Sequence, residues 1–96
     1  SLIGSYTLDN TKQIVLELHD DKSFEFAKLD DIKSFGGGKW RYRRWDVDEV
    51  DLTFSDSSQL RFEIVYQGNG AYLQNTFWTG KNHKYVKLVQ TGRRRN

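Results

Sequence analysis

Apolar and polar residues alternate with a period of two along almost the whole chain, the mark of half-buried strands. Residues 4–8 place Tyr6 and Leu8 on one face. In residues 13–19, Ile14, Leu16 and Leu18 share a face, opposite Val15, Glu17 and His19. Residues 23–28 turn Phe24 and Phe26 inward and Glu25 outward. Further strands are expected at 39–45, 49–55 (Val50, Leu52, Phe54 inward), 59–66 (Leu60, Phe62, Ile64 inward), 71–79 (Leu73, Phe77) and 84–89 (Val86, Leu88).

Short polar turns separate these runs: Asp9-Asn10, Asp20-Asp21-Lys22, Asp56-Ser57-Ser58, the Asn-Gly of Gln67-Gly68-Asn69-Gly70, and Gly80-Lys81-Asn82-His83. Asn-Gly is the strongest short hairpin signal, and strands joined by short turns pair antiparallel. Residues 29–38 break the pattern. Leu29, Ile32 and Phe35 recur at a spacing of three, which predicts one helical turn capped by Asp30 or Asp31, and Gly36-Gly37-Gly38 reads as a loop. The expected fold is all-β: one domain over residues 1–90 with a basic tail at 91–96. Its eight or so antiparallel strands form a small up-and-down barrel or a strongly curled half-barrel, since closure removes exposed edges. The expected core is Leu16, Leu18, Phe24, Phe26, Trp40, Tyr42, Leu52, Phe54, Phe62, Ile64, Phe77 and Leu88.

Composition narrows the chemistry. Only 36% of the 96 residues are hydrophobic but 15% are aromatic, so the core rests on large rings. The longest aliphatic run is Ile14-Val15-Leu16, far short of a transmembrane helix. With zero Cys there is no disulfide framework, thiolate metal site or cysteine nucleophile. There is no Met, which implies a trimmed start. The net charge of +2 hides an asymmetry: the first 60 residues hold twelve acids against eight bases, the last 36 one acid (Glu63) against seven bases. That distribution suits either an anionic partner or one basic sheet edge with a solvated tail, Arg93-Arg94-Arg95.

The order Gly4-Ser5-Tyr6, Leu16-Glu17-Leu18, Asp21-Lys22-Ser23-Phe24, Gly38-Lys39-Trp40 and Val50-Asp51-Leu52 resembles small lipocalin-like, calycin-type barrel domains of bacterial cell-envelope lipoproteins, over residues 4–66. The resemblance implies a non-enzymatic binding or accessory domain in the periplasm or at the outer membrane, lipid-anchored upstream of Ser1. The copper-stress lipoproteins of this group carry a C-x-x-C pair that is absent here, so thiol-based copper chemistry does not carry over. A full lipocalin is longer and has a flanking helix for which this sequence has no candidate.

Catalytic signatures are missing. Gly36-Gly37-Gly38-Lys39 lacks the Ser/Thr and helix of a phosphate loop. Asp46, Asp48, Glu49 and Asp51 miss the Gly and Glu positions of a calcium loop. His19 and His83 sit at turns without a nucleophile pattern. No enzyme activity, metal or cofactor is expected.

The stretch Trp40-Arg41-Tyr42-Arg43-Arg44-Trp45 carries the most information. Trp40, Tyr42 and Arg44 share the inward phase, and Trp45 is out of phase. A bulge between Arg43 and Arg44 accounts for this most simply; otherwise Arg44 points inside, where it needs a counter-charge such as Asp46, Glu49 or a ligand carboxylate. The expected ligand-binding residues are Phe35, Arg44, Trp45 and Trp78, with entry at a mouth near Phe35, Gly36 and Gly37 and with Arg44 as charge partner. The expected partner is a small hydrophobic acid or another envelope macromolecule. A second reading is single-stranded nucleic acid on a face bearing Tyr72, Gln74, Thr76 and Trp78 with Arg61, Lys81, Lys84 and Lys87. A third is carbohydrate on Trp45, Trp78 and Tyr85. No cavity of the ~300–1,000 Å³ typical of small-molecule sites is expected in so short a barrel.

Overall fold

The computed structural model describes residues 1–30, 32–77 and 86–93, with the backbone alone of Thr76, Phe77 and Arg93. Eight strands follow one another: β1 Gly4–Leu8, β2 Ile14–Leu18, β3 Ser23–Phe26, β4 Gly36–Arg44, β5 Asp48–Phe54, β6 Gln59–Gln67, β7 Gly70–Phe77 and β8 Lys87–Arg93. Each pairs antiparallel with the next, and β8 returns to β1 (Leu8↔Leu88, Gly4↔Arg93), closing the barrel. No described helix is long and apolar enough to cross a membrane.

Two turns repeat one local device. In Asp21-Lys22-Ser23 and Asp56-Ser57-Ser58 the middle residue is left-handed (φ 73° and 72°). The aspartate accepts from the serine N–H at 2.9 Å and from its hydroxyl at 2.5 Å in both turns. The flanking strands are tied by His19 N–H to Ser23 O (3.0 Å) and Phe54 N–H to Ser58 O (2.8 Å). An aspartate that organises its own backbone is why such turns are readable from sequence.

Inside, Phe54 receives Phe24 and Phe26 edge-on, with ring centroids 5.0 and 5.8 Å apart, and Phe26 lies against Phe62 at 6.5 Å. Tyr6, Leu16, Leu52, Phe62, Leu73 and Leu88 are completely buried. Trp40 closes the top: its indole N–H donates to His19 O (2.9 Å), and Lys22 Nζ stands 4.1 Å over its ring. The interior is thus occupied by the chain's own rings.

Several expectations need correction. Ile14 is 52% exposed and Val15 only 2%, because the β1–β2 register runs Tyr6↔Leu16 and then Thr7↔Ile14, skipping Val15 in a bulge. Other register shifts fall at Ser5/Tyr6 and Arg61/Phe62. The bulge expected between Arg43 and Arg44 is absent: β4 and β5 pair without interruption from Gly38↔Phe54 to Arg44↔Asp48. The described residues of 29–35 form no helical turn; Asp31, one of the two expected caps, lies outside the described residues. Ile32 N–H donates to Leu29 O (3.2 Å), the two residues form an isolated bridge, and Ile32 alone of the spaced-by-three set is buried.

The three glycines are the first residues of β4, paired to Phe26, Glu25 and Phe24. Gly36 has φ +94°, and a Cβ on Gly38 would stand 2.0 Å from Thr53 O. Here β4 lies so close to β5 that no side chain fits. At the other end of the sequence, residues 91–93, expected in the tail, belong to β8, with Gly92 against Ser5. Residues 94–96 lie outside the described residues, as does the side chain of Phe77 expected in the core.

Candidate binding surface at the barrel rim

Unequal strand lengths create the site. β3 has four residues and pairs with β4 only up to Ser23↔Lys39, whereas β4 runs on to Arg44. The β4–β5 hairpin therefore projects past the core. Its inward-phase side chains emerge at the rim, so Tyr42, expected in the core, is 43% exposed. Asp48 of β5 shares that rim. The Tyr42 hydroxyl donates to Asp48 Oδ1 (2.6 Å), and Arg44 Nε lies 3.6 Å from the same oxygen. Arg44 thus keeps its phase, but above the interior rather than within it, with a carboxylate of its own chain as partner.

Tyr66, at the same end of β6, is 58% exposed and close enough to feel these charges. Its phenol is pushed above the usual value by partial burial and then by the Asp48 charge. The Tyr42 phenol is raised first by its bond to Asp48. Both rings therefore stay neutral at physiological pH and present hydroxyls.

On the outer face, Asp51 takes Arg61 Nε at 2.8 Å and an Arg43 nitrogen at 3.2 Å. The Arg43 guanidinium sits 5.0 Å from the Trp45 ring centre, and Trp45 itself is 73% exposed. Val47, at the hairpin tip, is exposed as well. Among the described residues, four of the six exposed large hydrophobic side chains (Tyr42, Trp45, Val47, Tyr66) thus gather at one end of the barrel.

Of the residues expected to bind ligand, Arg44 and Trp45 come together here. Phe35 does not. It precedes the first residue of β4, and nine strand steps of ~3.3 Å put it about 30 Å from Arg44, at the opposite end. The expected single mouth shared by Phe35, Gly36, Gly37 and Arg44 is therefore wrong. Trp78 lies outside the described residues, as do Lys81, His83, Lys84 and Tyr85. On the other proposed face, Tyr72 is already covered by Lys87 (Nζ 4.3 Å from the ring centre), and Gln74 bonds Glu63. The acidic run separates: Asp48 turns to the rim and Asp51 to the outer face. No group of three His, Asp or Glu among the described residues is placed to hold a metal.

An open hollow of about 170 Å³ lies beside β1 and β2, lined in part by Ser5, Glu17 and His19. Such a volume is below that of ordinary small-molecule sites. Tyr42 and Tyr66 were missed as surface residues because phase alone predicts inside or outside. The available signal was the short third strand beside a long fourth.

The fold and rim together define a small closed antiparallel barrel with an exposed aromatic and guanidinium end. No protein-family model, curated protein or solved structure matches the chain.

Proposed function

We propose that this is a non-enzymatic binding domain that recognises another macromolecule on its rim rather than enclosing a small ligand. The carrying observation is that the interior is occupied by Phe24, Phe26, Phe54 and Phe62, while Tyr42, Trp45, Val47 and Tyr66 crowd one exposed end. Aromatic rings with a polar tip, beside arginines, suit protein recognition because they bury large area at low entropic cost. The resemblance to envelope lipoprotein domains supports an accessory role in the bacterial periplasm or at the outer membrane.

A thermal-shift screen tests this. Fatty acids and small aromatic acids are expected to leave Tm unchanged in wild type and in Arg44→Gln. A large stabilisation by such an acid that Arg44→Gln abolishes would instead make the protein a ligand carrier. In parallel, the double variant Tyr42→Ser/Tyr66→Ser should retain its stability within about 1 kcal/mol, since surface substitutions usually cost little. A much larger loss would assign these rings to packing rather than recognition.

A further inference from the structure

Resting on that reading, the geometry of β4 identifies the kind of partner: we propose that an extended acidic polypeptide segment adds as a strand to the upper edge of β4. Main-chain directions come first. Trp45 N–H donates to Val47 O, and Ser55 N–H donates to Gly37 O. These bonds set the odd positions of β4 toward β5. On the opposite side Trp40 N–H donates to Lys22 O, so the even positions face β3. Beyond Trp40, β3 has already given way to the turn at residues 19–22. The N–H and C=O groups of Tyr42 and Arg44 consequently point out of the sheet with no strand beside them among the described residues. The closed barrel is thus left open along this short upper edge of β4 among the described residues.

An added strand lies ~4.8 Å away and alternates its side chains between two faces. Those on the outer face come beside Arg41 and Arg43, which follow Lys39 at a spacing of two. Arg41 is exposed and has no ion pair among the described residues. Of the acids near this row, Glu49 and Asp51 stand one strand further in, and Asp21, in the turn below the open edge, is set against Lys39, so a strand added above Trp40 comes beside Arg41 and Arg43. Side chains on the other face come beside the Tyr42 ring, which shares the even phase of β4. The favoured sequence therefore carries Asp or Glu at alternate positions, with β-branched or aromatic residues between.

The same charges decide against a second copy of the chain. Two β4 edges paired antiparallel about Tyr42, or about the Tyr42–Arg44 pair, set arginine opposite arginine. Like charges at an edge are a known device against self-association. Strand addition draws affinity from main-chain hydrogen bonds and specificity from alternate side chains, which is the division of labour this edge provides.

The test uses the whole chain, labelled with ¹⁵N, and a synthetic peptide of about eight residues alternating Glu with Thr or Val, long enough to cover the open edge. At saturation, amide hydrogen exchange at Tyr42 and Arg44 should slow at least about tenfold, as new hydrogen bonds form there. The exposed-site variant Arg41→Glu should weaken binding at least about tenfold, and added salt should weaken it too. The same peptide N-methylated at alternate amides, and its Lys-for-Glu counterpart, should not bind. The proposal is overturned if the acidic peptide fails to bind, binds Arg41→Glu equally well, or leaves both amides unprotected. It is also overturned if oligothymidylate occupies this edge while the peptide does not. Should the peptide fail while the Tyr42, Trp45 and Tyr66 ring signals respond to oligothymidylate or to an oligosaccharide, the strand-addition proposal falls and the rim reading stands. Rim signals silent to all three probes would sink both.

Discussion

Replacing Gly38 by alanine tests whether β4 and β5 are as close as described. The added Cβ would meet Thr53 O at 2.0 Å, and both a Phe24 ring carbon and Phe54 Cα at 2.9 Å. Two of those three atoms are main chain, so no rotamer change relieves the contact. Carbon atoms rest at ~3.5–4.0 Å, and the strands must therefore part by more than about 1 Å. Overpacking costs about 1–3 kcal/mol and occasionally more, and this case belongs at the top, about 3 kcal/mol, because a sheet ladder must move. Domains of this size have roughly 5–14 kcal/mol in total. At about 4–8 °C per kcal/mol, Tm should fall by roughly 12–24 °C. Neighbouring glycines are the controls. In Gly37→Ala the added Cβ would meet the movable Glu25 Oε1 at 3.1 Å and Phe24 O at 3.3 Å, contacts relieved by shifts of a few tenths of an ångström, so stability should change by about 1 kcal/mol at most. In Gly36→Ala there is free space, and the cost is the left-handed backbone at φ +94°, about 1–2 kcal/mol. Urea unfolding followed by tryptophan fluorescence, with calorimetric melting, gives all three values. A Gly38→Ala protein melting within a few degrees of wild type, or one more stable than Gly37→Ala, would refute the packing argument.

Phe62→Ala removes a fully buried ring from the core and should cost about 3–5 kcal/mol in the same unfolding assay; unchanged melting would show that the inward phase of β6 is misassigned. Ser57→Gly should stabilise by about 1 kcal/mol by relieving a left-handed serine, whereas Lys22→Gly should gain less, because it also removes the ammonium over Trp40. Asp21 and Asp56 are held below the ordinary carboxylate range by their serine hydrogen bonds; the stability they add is present above about pH 4 and lost as pH falls through their lowered values. Tm measured from neutral to acid pH should therefore fall less steeply in Asp21→Asn/Asp56→Asn than in wild type. Burial raises the Tyr6 phenol, whose hydroxyl donates to Leu2 O (2.7 Å); its contribution is complete below about pH 10 and lost as pH rises above that, so Tyr6→Phe should flatten alkaline unfolding followed by tyrosinate absorbance.

What the sequence determined by itself was local. The Asp-x-Ser turns, the glycine-bearing hairpin at 67–70 and the period-two alternation each depend on residues a few positions apart, and together they specify eight antiparallel strands, although the hairpin turns on Gly68-Asn69 rather than on Asn69-Gly70. Closure followed because twisted strands with short connections remove their edges. Residues whose surroundings depend on distant strands were not legible in the same way. Val15 is buried because β1 skips it, and Gly38 is required because β5 leaves no space. Phe35 and Arg44 stand at opposite ends because the glycines between them are strand, not loop. The rim, too, is a tertiary product. Tyr42, Arg44 and Tyr66 carry the same phase as the core residues below them, and only the short β3 beside the long β4 decides that they emerge into solvent. Alternation tells which face a side chain takes; where along the strand the core ends is set by the partners, and no single strand's sequence contains that length.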